Sequence, residues 1–409
     1  MWRKRFFIGS RTESIGGNKM EYSDMENRER TRSRHVIWHG FASFCITPKM
    51  QDAVLTYFES PDNALAAKEG EWDTFFRLAE QFGFTETEKK RIKEVLRRDH
   101  EKEYEALEKE GVDFLTQEDE CYPEKLRKVF SAPRFFYYKG SMPGEEPLIA
   151  VIGARNCSHY GSEVAWRIAK DLARQGIGVI SGLAYGVDKA GHDGALAGEG
   201  LTYAVLGCGP DICYPRGHKE TYDRILNMGG GIISEYPPGT QPLSWFFPQR
   251  NRIIAGLSDG ILVTEARKKS GTLITVSFGL EYGKNIYAVP GRVDDVLSEG
   301  CNYLIKEGAK LTISASDIVE DLAAVLPGKK RKNYVQKCRN YEFLKNILAS
   351  NEKMVYASLR LMPKHIEEIR EETKLSPEEL AKILQKLYSY GCIKRYGQAY
   401  YALSDETNR

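Results

Sequence analysis

Between residues 146 and 324 the chain alternates short, near-continuous apolar runs with segments of helical periodicity, and few architectures accept that order. The runs read LIAVIG, IGVISG, TYAVLGC, GGIISE, GILVTEA and NIYAVPG, with a short KLTIS at the end. Between them lie VAWRIAKDLARQG, VDKAGHDGALAG, RNRIIAGLS, TLITVSFGLEYG and NYLIKEGA. A strand that is apolar along its whole length has no face for water, so it must be covered on both sides. Strands that alternate with helices form a parallel sheet wrapped by those helices. The expectation for residues 111–325 is an α/β, Rossmann-like, doubly wound parallel sheet. Its ligand crevice should lie at the C-terminal ends of the strands.

With 409 residues the chain has room for flanking domains. Residues 1–34 are polar and charged and read as a disordered tail. Residues 35–110 carry apolar positions at threes and fours in AVLTYFE, TFFRLAEQFGF and KRIKEVLRRDH, which predicts a small helical domain of SAM or helix-hairpin-helix type. VDFLT and RFFYYKG, between Gly111 and Gly140, are β-rich and should lead into the sheet domain. Residues 326–336 contain PGKKRKN and read as a basic linker. Residues 337–409 hold helix, turn and helix with Ser376 as N-cap ahead of Pro377, then two β-rich runs around Tyr396 and Gly397. That order predicts a winged helix.

Net charge is only +2, from 59 basic and 57 acidic residues, so a nucleic-acid partner must be met by a local patch. No apolar run approaches the roughly 20 residues that cross a bilayer. The eight cysteines lack the paired spacing of a zinc site. With no secretory signal, reduced thiols in a cytoplasm are expected, with neither metal nor cofactor.

Phosphate chemistry is written at the strand ends. Phe247 to Gly291 holds Arg250, Asn251 and Arg252, then an apolar run, then the small-residue turn Ser270, Gly271 and Thr272 opening a helix. Such turns offer backbone N–H groups and a helix N-terminus to an anion. The first strand ends in Gly153, Ala154 and Arg155. The second runs into Ser181, Gly182 and, after Tyr185, Gly186, whose small residues serve either close packing or close approach to phosphate. Asp188 there reads as a turn-bracing residue. The third is followed by Arg216 and Lys219, which fit an electrostatic rim, and by His218, which reads as a satisfied surface or polar-cluster residue. No G-x-x-x-x-G-K-[ST] and no G-x-G-x-x-G occurs, and no serine has a histidine placed by motif, so catalytic residues are not expected.

The order of these blocks identifies a family. GAR (153–155), SGLAYGVD (181–188), LGCGPDICYP (206–215), FPQRNRIIAGLS (247–258), EARKKSGTLIT (265–275), VPG (289–291) and GCNYLIKEGA (300–309) resemble the DprA/Smf family, bacterial DNA-processing proteins of natural transformation. The resemblance implies an extended Rossmann-like domain, a helical N-terminal unit and a C-terminal winged helix. It implies a cytoplasmic binding protein, not an enzyme, that binds single-stranded DNA, dimerises through the central domain and helps load the RecA recombinase during natural transformation, shielding the incoming strand. By motif, Gly153, Arg155, Ser181, Gly182, Gly186, Arg250, Asn251, Arg252, Ser270, Gly271 and Thr272 would form the DNA and phosphate site, with Arg216 and Lys219 at its rim. Phe246, Phe247, Tyr214 and Tyr185 are stacking or packing residues. One block departs from the family: Y-P-x-x-N becomes Tyr214, Pro215, Arg216, Gly217 and His218.

Two other readings use the same fold. Nucleotide phosphoribohydrolases carry P-G-G-x-G-T-x-x-E, but the glutamate position three after Thr272 is Thr275, so only Glu265 is left to supply the carboxylate. A nucleotide-binding sensor is the other. A transcription regulator is disfavoured because the second helix of the winged unit begins acidic and carries few arginines; an auxiliary or protein-contact role suits that domain better.

Overall fold

The computed structural model describes residues 18–44, 47–79, 83–325, 350–359, 364–389, 393–396 and 399–403. The chain divides into two compact units, Met1–Asp317 and Ile318–Arg409.

Among the described residues six helices open the first unit: α1 (Asn18–Ala42), α2 (Pro48–Phe58), α3 (Pro61–Ala66), α4 (Glu69–Leu78), α5 (Glu86–Val95) and α6 (His100–Lys109). Their starts follow local chemistry. Thr47, Ser60, Thr85 and Asp99 each accept a backbone N–H of the first turn, and Thr85 with Glu88 completes a capping box. Phe41, Phe44, Trp72, Phe75 and Ile92 form the centre of this helical core. The Trp72 indole N–H donates to the Ala64 carbonyl at 3.0 Å, so the largest buried ring leaves no donor unsatisfied.

Helix α1 crosses the boundary at residue 34 that the sequence suggested for a disordered tail. Around that boundary it is held by charge: Arg32 pairs with Glu101 and Glu108, and Arg34 with Asp119. Apolar periodicity is blind to such a helix. Residues 1–17 of the expected tail, and the whole basic linker, lie outside the described residues.

The sheet that follows has nine strands in the order β1-β2-β6-β5-β4-β3-β7-β8-β9. They are β1 (Asp113–Thr116), β2 (Phe135–Gly140), β3 (Leu148–Ile152), β4 (Gly178–Ser181), β5 (Thr202–Leu206), β6 (Gly231–Ser234), β7 (Gly260–Val263), β8 (Asn285–Ala288) and β9 (Lys310–Leu311). Helices α7 (Glu124–Arg127), α8 (His159–Arg174), α9 (Val187–Ala197), α10 (Lys219–Asn227), α11 (Phe246–Leu257), α12 (Gly271–Glu281), α13 (Glu299–Lys306) and α14 (Ala315–Val325) connect or follow them. β3 to β9 are parallel; β1 and β2 add an antiparallel edge. The α/β, doubly wound architecture is therefore present as the alternation predicted. Helices α10 and α14 were not legible in it.

Period-2 alternation sorts the strand residues between faces. Leu148, Ala150, Ile152, Tyr203 and Val205 enter the core made with α11, α12 and α13; Ala204, Leu206 and Ile232 enter the one made with α9 and α10. β1 and β2 join the helical region to the sheet by the same device. Phe114, Phe135 and Tyr137 point into the helical core, while Leu115 and Phe136 point into the sheet core.

From β3 the chain moves outward through β4, β5 and β6, then returns to place β7 on the other side of β3. That reversal is the topological switch point, and the loops leaving β3 and β7 must diverge there and open a crevice.

The second unit holds α15 (Ser350–Ser358), β10 (Lys364–His365), α16 (Ile366–Thr373), α17 (Pro377–Ser389), β11 (Ile393–Tyr396) and β12 (Tyr400–Leu403). Its strands form an antiparallel sheet in the order β10-β12-β11 over a core of Val355, Leu359, Ile369, Leu380, Leu384, Leu387 and Ile393. Ser376 accepts the Glu379 N–H at 3.3 Å, the N-cap the sequence anticipated.

Candidate functional site

A cleft of about 710 Å³ opens at the switch point, lined by the loops after β3 and β7, the N-terminal half of α11 and the first turn of α12. Gly153, Arg155, Arg250, Asn251, Ser270, Gly271 and Thr272 all border it, together with Tyr214, Phe247 and Arg267. Helical spacing explains the α11 contribution: Phe247, Pro248, Arg250, Asn251 and Ile254 recur on one face of that helix.

The cationic side chains differ in what they can do. Arg155 and Arg267 are exposed, and among the described residues no ion pair engages either. The Arg155 guanidinium lies 5.4 Å from the centre of the Phe247 ring, which in turn packs against the exposed Tyr214 ring at 5.6 Å and 30°. The result is a flat aromatic pair with a free cation over it.

Arg250 is a different kind of residue. It is buried, its Nη1 donates to the carbonyls of Gly182 (2.9 Å) and Val205, and its Nε donates to Asn251 Oδ1 at 3.3 Å. Burial lowers its pKa to about 10, with Asp188 the largest opposing influence. Asp188 accepts the N–H groups of Gly182 (3.1 Å) and Ala184 (3.4 Å), and its own burial raises its pKa against the pull of Arg250.

The expected grouping of Arg250 and Arg252 on one phosphate surface is not what the geometry gives. Arg252 sits one side of α11 away, buried, with Nη2 donating to both carboxylate oxygens of Glu235 at 2.6 and 2.7 Å. Two residues along a helix is a rotation of about 200°, which turns Arg252 from the cleft. Ser181 is likewise internal: its hydroxyl is fully buried and donates to the Val151 carbonyl at 2.7 Å. Gly182 and Gly186 serve close packing. A Cβ on Gly182 would come within 2.3 Å of the Arg250 guanidinium, and Gly186 adopts φ +74° with its Cα against the carbonyls of Ala154 and Arg155.

At the rim, Arg216 is exposed in a short 3-10 turn with no ion pair among the described residues. Lys219 is exposed but paired with Asp223 and lies over the Tyr222 ring. His218, at the position that departs from the family pattern, is buried; its Nδ1 meets the Leu183 carbonyl at 2.9 Å and its ring backs the half-exposed Tyr185. Phe246 is core, packed against Tyr236 and Trp245.

The start of α12 is open. Ser270 has the extended backbone of an N-cap, yet its hydroxyl caps nothing and makes no hydrogen bond. The Leu273 N–H returns to the Ser270 carbonyl at 3.1 Å, and the first N–H groups of the helix are left toward the cleft. Helix N-termini carry partial positive charge, so this turn adds to Arg155 and Arg267.

The cleft has little acid to offer. Thr275 occupies the place of the phosphoribohydrolase glutamate and is buried. Glu265 turns away and accepts from the Ser158 N–H (2.8 Å) and hydroxyl, fixing the start of α8. Among the described residues no group of three potential ligands could hold a metal ion. Arg267 is the cleft residue that motif reading passed over; the signal was the ARKK run between β7 and the small-residue turn.

Fold and site together define a doubly wound α/β protein with an anion-accepting, aromatic-floored cleft at its switch point. The chain belongs to the family of DNA recombination-mediator protein A, whose model matches residues 113–323. DNA processing protein DprA of Streptococcus pneumoniae is 43% identical over 204 residues, covering 50% of this chain and 72% of that protein. The Bacillus subtilis protein of the same name is 36% identical over 219 residues, covering 53% of this chain and 73% of its own length. The X-ray structure of the Streptococcus pneumoniae protein aligns with TM-score 0.56 and 34% identity, covering 69% of this chain and 95% of that one.

Proposed function

We propose that this chain binds single-stranded DNA in the switch-point cleft and acts on it as a recombination mediator, delivering the strand to the RecA recombinase in natural transformation. The observation that carries the reading is the convergence of Arg155, Arg267 and the open N-terminus of α12 on one cleft floored by the Phe247–Tyr214 pair. Phosphates are met by charge and N–H groups, bases by a stacking surface, and neither contact depends on sequence. Arg216 extends the positive rim. Gly153, Asn251 and Thr272 shape the walls.

On this reading the protein is a binder and not an enzyme; among the described residues Asp188 is the one carboxylate bordering the cleft, and it is buried and already holds two N–H groups. It works in the cytoplasm as a homodimer formed through the sheet domain; among the described residues no helix is long and apolar enough to cross a membrane. The C-terminal unit, read as a winged helix, has an auxiliary role.

The test is fluorescence anisotropy of a labelled oligothymidylate over a salt series. Wild type binds tightly, and Arg155→Ala and Arg267→Ala each reduce the slope of log K against log salt by about 0.7, the value for one phosphate contact on a single strand. Absence of wild-type binding at low salt overturns the reading. Tight binding of a mononucleotide without strand binding would favour a nucleotide sensor, and release of free base from it an enzyme.

A further inference from the structure

The peptide unit of Gly182 is gripped from both ends. Its N–H donates to Asp188 Oδ2 at 3.1 Å and its carbonyl accepts from Arg250 Nη1 at 2.9 Å. No side chain fits between: a Cβ at this position would stand 2.3 Å from Arg250 Nη2. Asp188 also holds the Ala184 N–H at 3.4 Å, so both ends of the turn from Gly182 to Asp188 are tied. That turn is the seat of the Arg155 loop. The Val187 N–H donates to the Ala154 carbonyl at 3.3 Å, and Gly186 lies so close that a Cβ would meet the carbonyls of Ala154 and Arg155 at 2.3 and 2.5 Å.

We propose that Arg250 and Asp188 are positioning residues: they clamp Gly182, fix the 182–188 turn, and through it hold Arg155 over the cleft without touching the bound strand themselves. The inference rests on the single-strand reading of the cleft. It assigns to Arg250, which the sequence pattern suggests as a phosphate ligand, an internal task that its burial and carbonyl partners support. A guanidinium with two carbonyls and a neighbouring carboxylate around it has little capacity left for a phosphate.

The experiment has two arms on the full chain. In the first, the double variant Arg250→Gln with Asp188→Asn, which leaves the net charge of the pair unchanged, is titrated with labelled oligothymidylate beside Arg155→Ala. Affinity should fall roughly tenfold, the scale of one charge-assisted contact, and the salt slope by up to about 0.7 as the Arg155 contact is lost, whereas adding the pair of substitutions to Arg155→Ala should lower the slope no further. A further reduction of about 0.7 in the Arg155→Ala background would show that Arg250 meets a phosphate directly and would overturn the proposal. In the second arm, amide hydrogen exchange is followed in the protein without DNA. Exchange should rise at Gly182, Ala184 and Val187 while the β3 and β7 amides stay protected. Unchanged exchange at those three amides, or a rise spread over the whole sheet, overturns the clamp. Asp188→Asn alone, which keeps one acceptor, should give an intermediate rise and serves if the double variant does not fold. Because the exchange arm needs no ligand, failure of the DNA reading and failure of the clamp are told apart.

Discussion

Replacing Arg252 separates a structural arginine from a binding one. In the sequence it stands beside Arg250 and Asn251 as part of one basic block; in the structure its Nη2 donates to both oxygens of Glu235 at 2.6 and 2.7 Å, and both residues are less than 10% exposed. Arg252→Met removes one partner and leaves the Glu235 carboxylate buried without its counter-charge. Breaking such a pair costs about 3–5 kcal/mol, whereas replacing both partners by apolar groups is neutral or stabilising. For a cooperative unit of this size that corresponds to a fall in melting temperature on the order of 5–10 °C. The assay is thermal unfolding of wild type, Arg252→Met and the double variant Arg252→Met with Glu235→Leu, followed by DNA titration over salt. The single variant should melt early, the double variant should recover most of the loss, and both should keep the wild-type salt slope when folded. A single variant as stable as wild type whose slope falls by about 0.7 would refute the assignment and return Arg252 to the cleft.

Gly186→Ala must place a side chain at φ +74° against the carbonyls of Ala154 and Arg155, so oligonucleotide affinity should drop with little change in melting of the C-terminal unit. Ser270→Ala should leave the melting temperature within error, since that hydroxyl caps nothing, whereas Thr85→Ala should cost about 1 kcal/mol by removing a working cap. Acid should destabilise the helical region through His39, whose burial lowers its pKa from 6.5 to about 4. Between those two values the unfolded chain binds the extra proton, so stability is complete above the unfolded pKa and is lost as pH falls towards 4, by on the order of 3 kcal/mol. His39→Gln should flatten that part of the pH–melting curve; an unchanged curve would show that another group sets it.

The sequence by itself determined the sheet. Runs such as LIAVI and the GILV that opens GILVTEA read as interior strands, because they present no polar face to water, and glycine or another turn residue marks where each one stops. It also pointed to the cleft lining, since in such a fold whatever follows a strand's C-terminal end borders the crevice; Arg155 and the Ser270 turn do line it. Helix α1 escaped because the stretch around residue 34 is secured by Arg32 and Arg34 reaching carboxylates some seventy or more residues away, pairings that leave no local periodicity. The tertiary structure alone decided what each arginine does. Arg155, Arg250 and Arg252 share one chemistry in the sequence, but a rotation of about 100° per residue along α11 sends Arg250 into the strand ends and Arg252 to Glu235, while Arg155 stays in solvent over Phe247. A guanidinium is a phosphate ligand only where nothing inside the protein has already taken its donors, and which donors are taken depends on neighbours distant in the chain.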